Sequence, residues 1–360
     1  MASHGLTATV VGGGLGGLAA AVGLRRAGWQ VRVVERGATF GEPNVGVTVE
    51  ENGIAALDAL DLGPAVRDAG RIAILAEVRT SSGRWRHRAG HEAAGGTTLS
   101  ICRASLHRIL REALPRESLI AGAEVVAIRP GHDEERATVT VRHRDRLWAI
   151  KADLVVAADG LFSPIRTGLW PDSPAPVPVG ATAWRGVTTE RWQGPATAAV
   201  LWGLGAEFGI FPLDDGRVSW YGAAAGPMVE PDPEEPVDEL LEVCRRFAPW
   251  GGSVAAVLEA TDSHAVRRDE LYELAADLPS YVRGRVALLG DAAHALPPSL
   301  GQGISQALED AVTLSRLVAA QPPGEALRRY DAERRPRVQA IAAAARRTSR
   351  LTPLRSMAAA

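Results

Sequence analysis

Residues 7–20 read TATVVGGGLGGLAA, and this stretch decides the fold of the chain. Its apolar start, Thr7–Val11, predicts a buried strand, and Leu18–Ala27 has the composition of a helix. Gly12, Gly14 and Gly17 stand between them with the G-x-G-x-x-G spacing. In such a loop the first glycine permits a tight turn, the second lets the backbone approach a pyrophosphate, and the third lets the helix pack closely on the strand. The stretch therefore predicts a dinucleotide-binding βαβ unit, with the helix N-terminus facing the phosphates.

The second strand of this unit, Gln30–Glu35, ends on an acidic side chain. A carboxylate in this place accepts hydrogen bonds from a ribose 2'-hydroxyl and repels a 2'-phosphate, so we expect Glu35 to contact the cofactor. Arg36 follows it and is a further candidate for a cofactor contact, with an exposed structural arginine as its alternative. NAD and FAD share the adenosine half that these residues recognise, so this unit alone does not separate the two cofactors.

The length and charge of the chain limit its partners. At 360 residues it exceeds the usual size of one domain, which predicts a nucleotide-binding domain plus a second, smaller unit. Its 40 Lys and Arg residues against 42 Asp and Glu residues leave a net charge of −2, which gives no long-range attraction for nucleic acid or an anionic membrane. We therefore expect a small-molecule substrate, no nucleic acid and no membrane, in a monomer or a homodimer.

The cysteines and the apolar runs indicate a cellular location. Cys102 and Cys244 are the only cysteines, too few for a disulfide framework and without metal-ligand spacing. The N-terminus lacks the pattern of a signal peptide, and no apolar run reaches the roughly 18 residues that span a bilayer. We expect a soluble protein in the reducing cytoplasm, without a bound metal.

Two kinds of strand pattern follow the first unit. Leu154–Ala158 and Val286–Leu289 are apolar without alternation, which is typical of central strands that rejoin the first sheet. Between them, alternating stretches with turn signals predict an antiparallel substrate sheet: Ala198–Trp202, Phe208–Leu213 and Val218–Tyr221, with a turn at Asp215-Gly216. A smaller meander is expected over Val139–Val141 and Leu147–Ile150, and helices over Gln302–Ala320 and Glu325–Arg350. The last helix is rich in arginine and is expected to present a solvated face.

The predicted fold class is therefore α/β. It consists of a Rossmann-like three-layer nucleotide domain, an inserted antiparallel β-sheet substrate domain and C-terminal helices. The expected boundaries are residues 1–70, 98–170 and 281–320 for the discontinuous nucleotide domain, 71–97 and 171–280 for the substrate domain, and 321–360 for the C-terminal helical segment.

Two further motifs identify a family. Residues 157–166 read AADGLFSPIR and residues 290–303 read GDAAHALPPSLGQG, each directly after one of the predicted central strands. Together with the glycine loop, in this order, they resemble the group A flavoprotein monooxygenases, the para-hydroxybenzoate hydroxylase and salicylate hydroxylase family. The resemblance spans the chain from Thr7 to about Arg350.

The resemblance implies a non-covalently bound FAD and assigns residues to it. Asp159-Gly160 would lie by the pyrophosphate and the nicotinamide entry path, Asp291 would bind the ribityl chain, and Arg103 would lie on the FAD. The alternatives are a helix N-cap for Asp291 and an exposed helix charge for Arg103.

The second motif also supplies the candidate catalytic residues Pro297, Gly303 and His294. Gly301, Gly303 and Ile304 begin a predicted helix, whose free N–H groups and positive dipole end would stabilise the anionic reduced flavin. By resemblance, Pro297 belongs to the loop that forms the wall above the flavin ring, where substrate sits. His294 is a candidate proton shuttle, with a structural histidine as the alternative.

Candidate pocket residues come from the predicted substrate sheet. Arg185 matches a tract, Ala183–Gly186, that begins this sheet in salicylate-hydroxylase-like members. The other candidates share predicted strands that would face the flavin, and they are Trp202, Phe208, Ile210, Trp220 and Tyr221, with Tyr272 as a further phenol contact. Side chains alternate along a strand, so only half can point toward the flavin and the rest belong to the core.

The resemblance implies a monooxygenase reaction. FAD would be reduced by NAD(P)H as a transient co-substrate, would react with O2 to a C4a-hydroperoxide, and would hydroxylate an aromatic or polyketide-like small molecule in a water-excluding pocket. The alternatives are a flavin-dependent epoxidase or oxidative inactivating enzyme, and, in a different class, a nucleotide-bound scaffold without turnover. The only lysine, Lys151, lies just before a buried strand, which disfavours a flavin halogenase. The motifs leave open the substrate and the choice between NADH and NADPH.

Overall fold

The strands of the chain fall into four sheets. The structure, a computed structural model, describes residues 5–73, 75–80, 85–88, 97–194, 198–226 and 238–348. Its strands are β1 (Thr7–Val11), β2 (Gln30–Val34), β3 (Gly46–Val49), β4 (Gly70–Ala73), β5 (Leu75–Thr80), β6 (Trp85–Arg88), β7 (Thr98–Cys102), β8 (Leu119–Ile120), β9 (Glu124–Arg129), β10 (Ala137–His143), β11 (Arg146–Ala152), β12 (Leu154–Ala157), β13 (Pro176–Val187), β14 (Ala198–Gly203), β15 (Ala206–Pro212), β16 (Val218–Ala225), β17 (Arg267–Leu274), β18 (Val282–Arg283) and β19 (Val286–Leu288).

The helices lie mostly in the first and last thirds of the chain. They are α1 (Leu15–Arg26), α2 (Glu51–Ala59), α3 (Gly63–Asp68), α4 (Arg103–Glu112), α5 (Pro164–Leu169), α6 (Glu239–Phe247), α7 (Gly252–Glu259), α8 (Asp291–His294), α9 (Gly303–Ala320) and α10 (Pro323–Thr348). No helix in these described ranges is both long and apolar enough to cross a membrane.

A six-stranded sheet forms the centre of the nucleotide-binding part. Its order is β18-β19-β12-β1-β2-β8, and every neighbouring pair except β18 and β19 is parallel. Strands β12 and β19 are buried along their whole length, as expected of parallel strands covered on both faces. One core runs through this sheet, α1, α9 and the meander β11-β10-β9. The predicted three-layer α/β domain and its two late central strands are confirmed.

The substrate sheet has seven strands in the order β17-β13-β16-β15-β14-β5-β6. The three predicted hairpin strands β14, β15 and β16 are neighbours, and Gly216 in the turn between the last two has a φ of +83°. The sheet differs from the antiparallel prediction at one place, because β14 and β5 run parallel. Strand β5 comes from a distant part of the chain, so no hairpin turn fixes its direction.

A small sheet, β3-β7-β4, joins the two larger ones and was not predicted. At its junction with the substrate sheet, a Cβ on Gly46 of β3 would lie 2.0 Å from the Ser219 hydroxyl oxygen of β16. Only a glycine allows this approach. Strand β3 therefore packs directly on one face of the substrate sheet.

The division of strands between the sheets supports the domain boundaries expected from the sequence. Strands of the substrate sheet come from residues 75–88 and 176–274, and those of the six-stranded sheet come from residues 7–34, 119–157 and 282–288. We propose that the domains keep those boundaries. Residues 349–360 of the expected C-terminal segment and parts of 71–97 lie outside the described residues.

Candidate functional site

Two glycines of the first loop are required by backbone packing. Gly12 has a φ of +103°, and a Cβ on it would lie 2.2 Å from the Ala158 carbonyl oxygen. A Cβ on Gly17 would lie 2.1 Å from the Gly12 carbonyl oxygen. Both distances are far below a van der Waals contact, so no side chain fits at either position. The predicted tight turn and the predicted close packing of helix on strand are confirmed.

Three other glycines have open backbone on the side where a Cβ would be. On Gly160 and Gly303 an added Cβ would meet nothing within 4 Å, and on Gly14 it would meet only a Glu42 carboxylate oxygen at 3.9 Å. These glycines follow β1, follow β12 and begin α9. A ligand can therefore approach the backbone of all three loops, as the binding of an FAD would require.

Glu35 lies against the glycine loop. Its two carboxylate oxygens accept hydrogen bonds from the backbone N–H groups of Gly13 and Gly37, each at 2.6 Å. Every carboxylate oxygen can accept more than one hydrogen bond, so both remain able to bind ribose hydroxyls. Arg36 is exposed, and its side chain forms no hydrogen bond or ion pair with the residues described.

Arg103 begins α4 beside the same loop. Its guanidinium forms a two-point ion pair with Glu42, with N–O distances of 2.7 and 3.1 Å. Four residues later, buried His107 donates from Nε2 to the Gly13 carbonyl oxygen at 2.8 Å. Sequence reasoning missed Glu42 and His107. The signal for His107 was its spacing, since residues four apart share one face of a helix.

Asp159 uses its side chain to close its own turn. It accepts hydrogen bonds from the Ser163 hydroxyl at 2.7 Å and the Ile165 N–H at 3.3 Å. Burial raises the pKa of the Asp159 carboxyl, and these hydrogen bonds oppose the rise. The open backbone at Gly160, rather than this carboxylate, is therefore the surface that the turn offers to a ligand.

Arg166 ties the two later motifs together. It is 1% exposed and donates to the carbonyl oxygens of Leu161 at 2.7 Å and Ala292 at 3.0 Å. Burial lowers the pKa of Arg166, and the charge of Asp159 opposes that fall. We missed this residue as a site residue, although it closes the AADGLFSPIR motif.

Asp291 is the first residue of α8 and is exposed. The N-cap of that helix is Gly290, and no side chain caps it, so the alternative of a capping Asp291 is wrong. The Asp291 carboxylate has no hydrogen bond or ion pair with any described residue. It is free to accept hydrogen bonds from a polyhydroxyl chain.

The start of α9 presents backbone rather than side-chain groups. Gln302 occupies the N-cap without a capping hydrogen bond, so the first N–H groups of α9 stay available. Gly301 has a φ of +64°, and a Cβ on it would lie 3.2 Å from a Glu50 carboxylate oxygen and 3.7 Å from the Thr48 hydroxyl oxygen. Ile304 packs on the main core. Strand β3, which carries Thr48, therefore reaches from the substrate sheet to this helix start.

Glu50 is a site residue that the sequence analysis missed. It stands at the end of β3, and it accepts a hydrogen bond from the Thr98 hydroxyl at 2.7 Å. Burial raises the pKa of the Glu50 carboxyl, and this hydrogen bond opposes the rise. No motif marks the residue, because only the pairing of β3 with β7 brings Thr98 beside it.

His294 does not occupy the position of a proton shuttle. Its ring is buried, Nε2 lies 2.6 Å from a carboxylate oxygen of Asp310, and Nδ1 is buried without a hydrogen-bond partner. Asp310 lies on α9 and is fully buried. Both ring nitrogens are therefore shut off from solvent, and the geometry supports the structural alternative. Pro297 is buried in the loop that follows α8.

The substrate sheet separates the predicted pocket residues into two groups. Phe208, Ile210 and Trp220 belong to a core cluster with residues of α6 and α7, so their prediction as pocket lining is wrong. The helices supply Val243, Phe247 and Val257 to that cluster, and Phe208 stacks on Trp220 with ring centroids 5.5 Å apart. An apolar helix pair covers this face and makes it ordinary core.

The other side of the sheet, here called the cleft face, carries Arg185, Trp202 and Tyr221. In register, Trp202 lies opposite Glu207, and Arg185 lies opposite Tyr221. Each of these residues neighbours a core residue along its strand and so points the other way. Ser219 is on this same side and rests on Gly46 of β3. The cleft face therefore adjoins the sheet that leads to the start of α9.

The cleft face carries both paired and unpaired charges, since Arg267 on β17 lies opposite Arg185, is exposed and forms no ion pair with a described residue. Arg185 forms an ion pair with Asp269. Burial raises the pKa of Tyr221 well above its ordinary value, and the charge and hydrogen bond of Glu207 raise it further. Phe211 stacks on Tyr221, with ring centroids 6.0 Å apart. The face thus offers a neutral phenol, a carboxylate and aromatic rings.

One edge of the substrate sheet touches the first of the two motif loops. The ring of Tyr272, on β17, meets the ring of Phe162 edge-on at 5.4 Å between centroids, and its hydroxyl donates to Glu270.

Among the residues that the structure describes, no three His, Cys, Asp or Glu side chains come together as a metal site needs.

These loops and sheets define a flavoprotein, and comparisons agree. Residues 6–345 match the family described as FAD binding domain. Aurachin C monooxygenase/isomerase of Stigmatella aurantiaca is 34% identical over 338 residues, covering 92% of this chain and 85% of the relative. The 2-heptyl-3-hydroxy-4(1H)-quinolone synthase of Pseudomonas aeruginosa is 31% identical, covering 93% and 87%. The crystal structure of Klebsiella pneumoniae HpxO complexed with FAD and uric acid superposes with a TM-score of 0.86 at 27% identity, covering 99% of this chain and 91% of that one.

The chain belongs to the FAD binding domain family, and it is a group A FAD-dependent monooxygenase. The predicted family, enzyme class and FAD cofactor are confirmed. The contacts of single residues with FAD stay predictions, supported by the open glycine backbones and the unpaired Asp291 carboxylate described above.

Replacing Asp291 tests the predicted ribityl contact. We expect Asp291→Ala to weaken FAD binding roughly ten- to hundredfold, since hydrogen bonds to a charged group contribute about 1.5–3 kcal/mol. The dissociation constant can be measured by titrating apoprotein with FAD and following flavin fluorescence. Asp68→Ala, an exposed carboxylate on α3, is the control and should leave affinity unchanged. Equal affinity in both variants would remove Asp291 from the site.

Gly303 provides a second test, because its backbone is open in the protein alone. We expect Gly303→Val to leave the melting temperature of the apoprotein nearly unchanged, while the branched side chain obstructs the flavin and slows anaerobic flavin reduction at least tenfold. Gly168→Val on α5 is the matched control, because an added Cβ there also meets nothing within 4 Å. Normal flavin reduction in Gly303→Val, or an equal loss of apoprotein stability, contradicts the role.

Proposed function

We propose that this enzyme hydroxylates a small fused aromatic compound held between the Pro297 loop and the cleft face, with NAD(P)H as a transient reductant. The observation that carries this proposal is the distribution of the aromatic residues between the two faces of the substrate sheet. Trp202 and Tyr221 lie on the side of the substrate sheet that adjoins β3 and the start of α9, while helices α6 and α7 cover the other side.

Bound FAD would supply the redox chemistry, in which two electrons from NAD(P)H let one atom of O2 enter the substrate while the other leaves as water. The protein supplies position and environment. The N–H groups at the start of α9 stabilise negative charge on the reduced flavin, because a helix N-terminus carries a partial positive charge. The rings of the cleft face exclude water and hold the substrate ring in one orientation.

The charges of the cleft face favour a substrate without a carboxylate. Arg185, the predicted pocket cation, is already neutralised by Asp269, and Glu207 faces Tyr221. A carboxylate buried beside Tyr221 would find Arg185 already paired, because the unpaired cation of this face, Arg267, is exposed on the edge strand β17, and an unpaired buried charge is costly. A hydrogen-bond donor such as a ring N–H fits this face better. The quinolone named in one relative has such a ring, and this supports the proposal.

A substrate screen tests the proposed function directly. The purified enzyme should oxidise NADH or NADPH slowly alone and much faster with a 2-alkyl-4-quinolone, giving a product heavier by one oxygen atom in mass spectra. Salicylate, which carries a carboxylate, should give little acceleration. If every ring compound leaves NAD(P)H oxidation unchanged, or if only H2O2 forms, the proposal is wrong.

We propose further that the enzyme acts in the cytoplasm, as a monomer or a homodimer, without nucleic-acid or membrane partners. Two free cysteines and a net charge of −2 support this setting. Epoxidation of an olefin would use the same cofactor loops, and product analysis in the screen above separates it from ring hydroxylation.

The two faces of the substrate sheet allow a matched pair of variants. We expect Trp202→Ala, on the cleft face, to admit water, so that NAD(P)H oxidation continues while product per NAD(P)H falls and H2O2 rises. Trp220→Ala, on the helix-covered face, should lose about 3–5 kcal/mol of unfolding free energy and keep its coupling in the folded fraction. Product yield, H2O2 yield and denaturant unfolding are measured for both. Unchanged coupling in Trp202→Ala would place that residue outside the pocket.

A further inference from the structure

A buried ion pair joins α9 and α10 next to the cofactor loops. Asp310 is fully buried and Arg334 is 3% exposed, and the guanidinium Nε donates to Asp310 Oδ1 at 2.6 Å. Arg334 also donates to the Gln306 side-chain oxygen at 2.7 Å and pairs with Glu309. The guanidinium is thereby held in one orientation by three neighbours on α9.

The second oxygen of Asp310 binds both ends of α8. Oδ2 accepts the backbone N–H of Gly290 at 3.0 Å and the Nε2–H of His294 at 2.6 Å. Gly290 has φ +62° and ψ −140°, a conformation that residues with a side chain rarely adopt. Asp291, with its unpaired carboxylate, follows directly. One carboxylate thus holds the turn from which Asp291 projects.

The charge balance keeps Asp310 ionised. Burial acts to raise the pKa of its carboxyl, but the charges and hydrogen bonds of His294 and Arg334 outweigh burial, and the net pKa is lowered. Burial acts to lower the pKa of Arg334, and Asp310 reverses this, so the net pKa is raised. Because the ionised carboxylate can only accept, Nε2 of His294 donates the hydrogen of this bond, while Nδ1 is buried without a hydrogen-bond partner.

We propose that Asp310 and Arg334 are positioning residues for FAD. They act by fixing the Gly290-Asp291 turn so that the Asp291 carboxylate faces the ribityl chain. Through Arg334, the C-terminal helix α10 becomes part of the cofactor site, although it belongs to neither the glycine loop nor the two motif loops. The inference rests on the predicted contact of Asp291 with FAD and is independent of the substrate.

The geometry supports positioning rather than packing alone. A buried ion pair adds little net stability compared with an apolar pair of similar volume, so stability does not explain this choice of residues. The hydrogen bonds of Asp310 end on a backbone N–H and on an imidazole, the two groups that bracket α8. An apolar pair could not hold either group.

The test measures FAD binding by apoprotein. We expect Asp310→Asn and Arg334→Met to raise the FAD dissociation constant about tenfold or more, and the midpoint potential of the bound flavin to shift in both. Arg334→Lys keeps the charge and should retain more affinity than Arg334→Met. The melting temperature of each apoprotein is recorded beside the titration. If Asp310→Asn fails to fold, the two Arg334 variants carry the same comparison.

Two control variants separate positioning from general destabilisation. Leu317→Ala removes a buried side chain near the far end of α9, and Arg335→Met removes a neighbouring arginine whose partner, Asp331, lies on its own helix. Both should bind FAD within about twofold of the unaltered protein. An equal loss of FAD affinity in Leu317→Ala at a matched melting temperature would overturn the proposal.

A double-mutant cycle with Asp291→Ala tests the route of the effect. If Asp310 acts through Asp291, the combined loss of affinity in Asp310→Asn with Asp291→Ala is smaller than the product of the two single losses. The proposal is overturned if the combined loss of affinity equals that product. It is also overturned if Asp310→Asn keeps its FAD affinity while Asp291→Ala binds FAD weakly. Unchanged affinity in Asp291→Ala alone overturns the predicted contact and the proposal together. None of these titrations depends on substrate hydroxylation.

Discussion

The fold depends on the close packing of backbone on backbone around Gly12, at the carboxyl ends of β1 and β12. Gly12 lies against the Ala158 carbonyl, and Gly17 lies against the Gly12 carbonyl, at separations that leave no room for a Cβ. This packing brings the N-terminus of α1 to the edge of the sheet and places the Asp159-Gly160 turn beside the glycine loop. A dinucleotide can then contact both loops at once, because parallel strands present their loops at one edge.

The cofactor loops are supported by buried charged side chains. Arg166 joins the turns after β12 and β19 through their carbonyl oxygens, and Asp310 holds the second of these turns through a backbone N–H. Charged groups form strong hydrogen bonds but are costly to bury, so each is held by several partners, although Nε of Arg166 is buried without one. The result is that loops without regular structure are held in place, while the glycine backbones that face the ligand stay bare.

The two faces of the substrate sheet are packed differently, and the cleft face has a small buried cluster of its own, on which Tyr221 packs. The face under α6 and α7 carries large rings that pack as core, and the cleft face carries Arg185, Trp202, Glu207 and Tyr221. Strand β3 links the cleft face to the start of α9, because Gly46 at one end meets Ser219, and Thr48 near the other end lies close to Gly301.

The sequence by itself determined the βαβ unit and a mainly antiparallel substrate sheet, because both depend on short-range patterns of glycine, apolar runs and alternation. The three motifs indicated FAD through their resemblance to a known family. The sequence did not determine which half of the alternating aromatic residues faces the flavin. Alternation along a strand means that neighbouring side chains point to opposite faces of the sheet. Helices α6 and α7, which come later in the chain, cover one face and so decide which face is core. Likewise, composition predicted a solvated arginine-rich α10, but Arg334 is buried, and His294 pairs with Asp310 rather than facing a substrate. Those outcomes depend on partners 16 to 24 residues away, which only the packing of α8, α9 and α10 brings into contact.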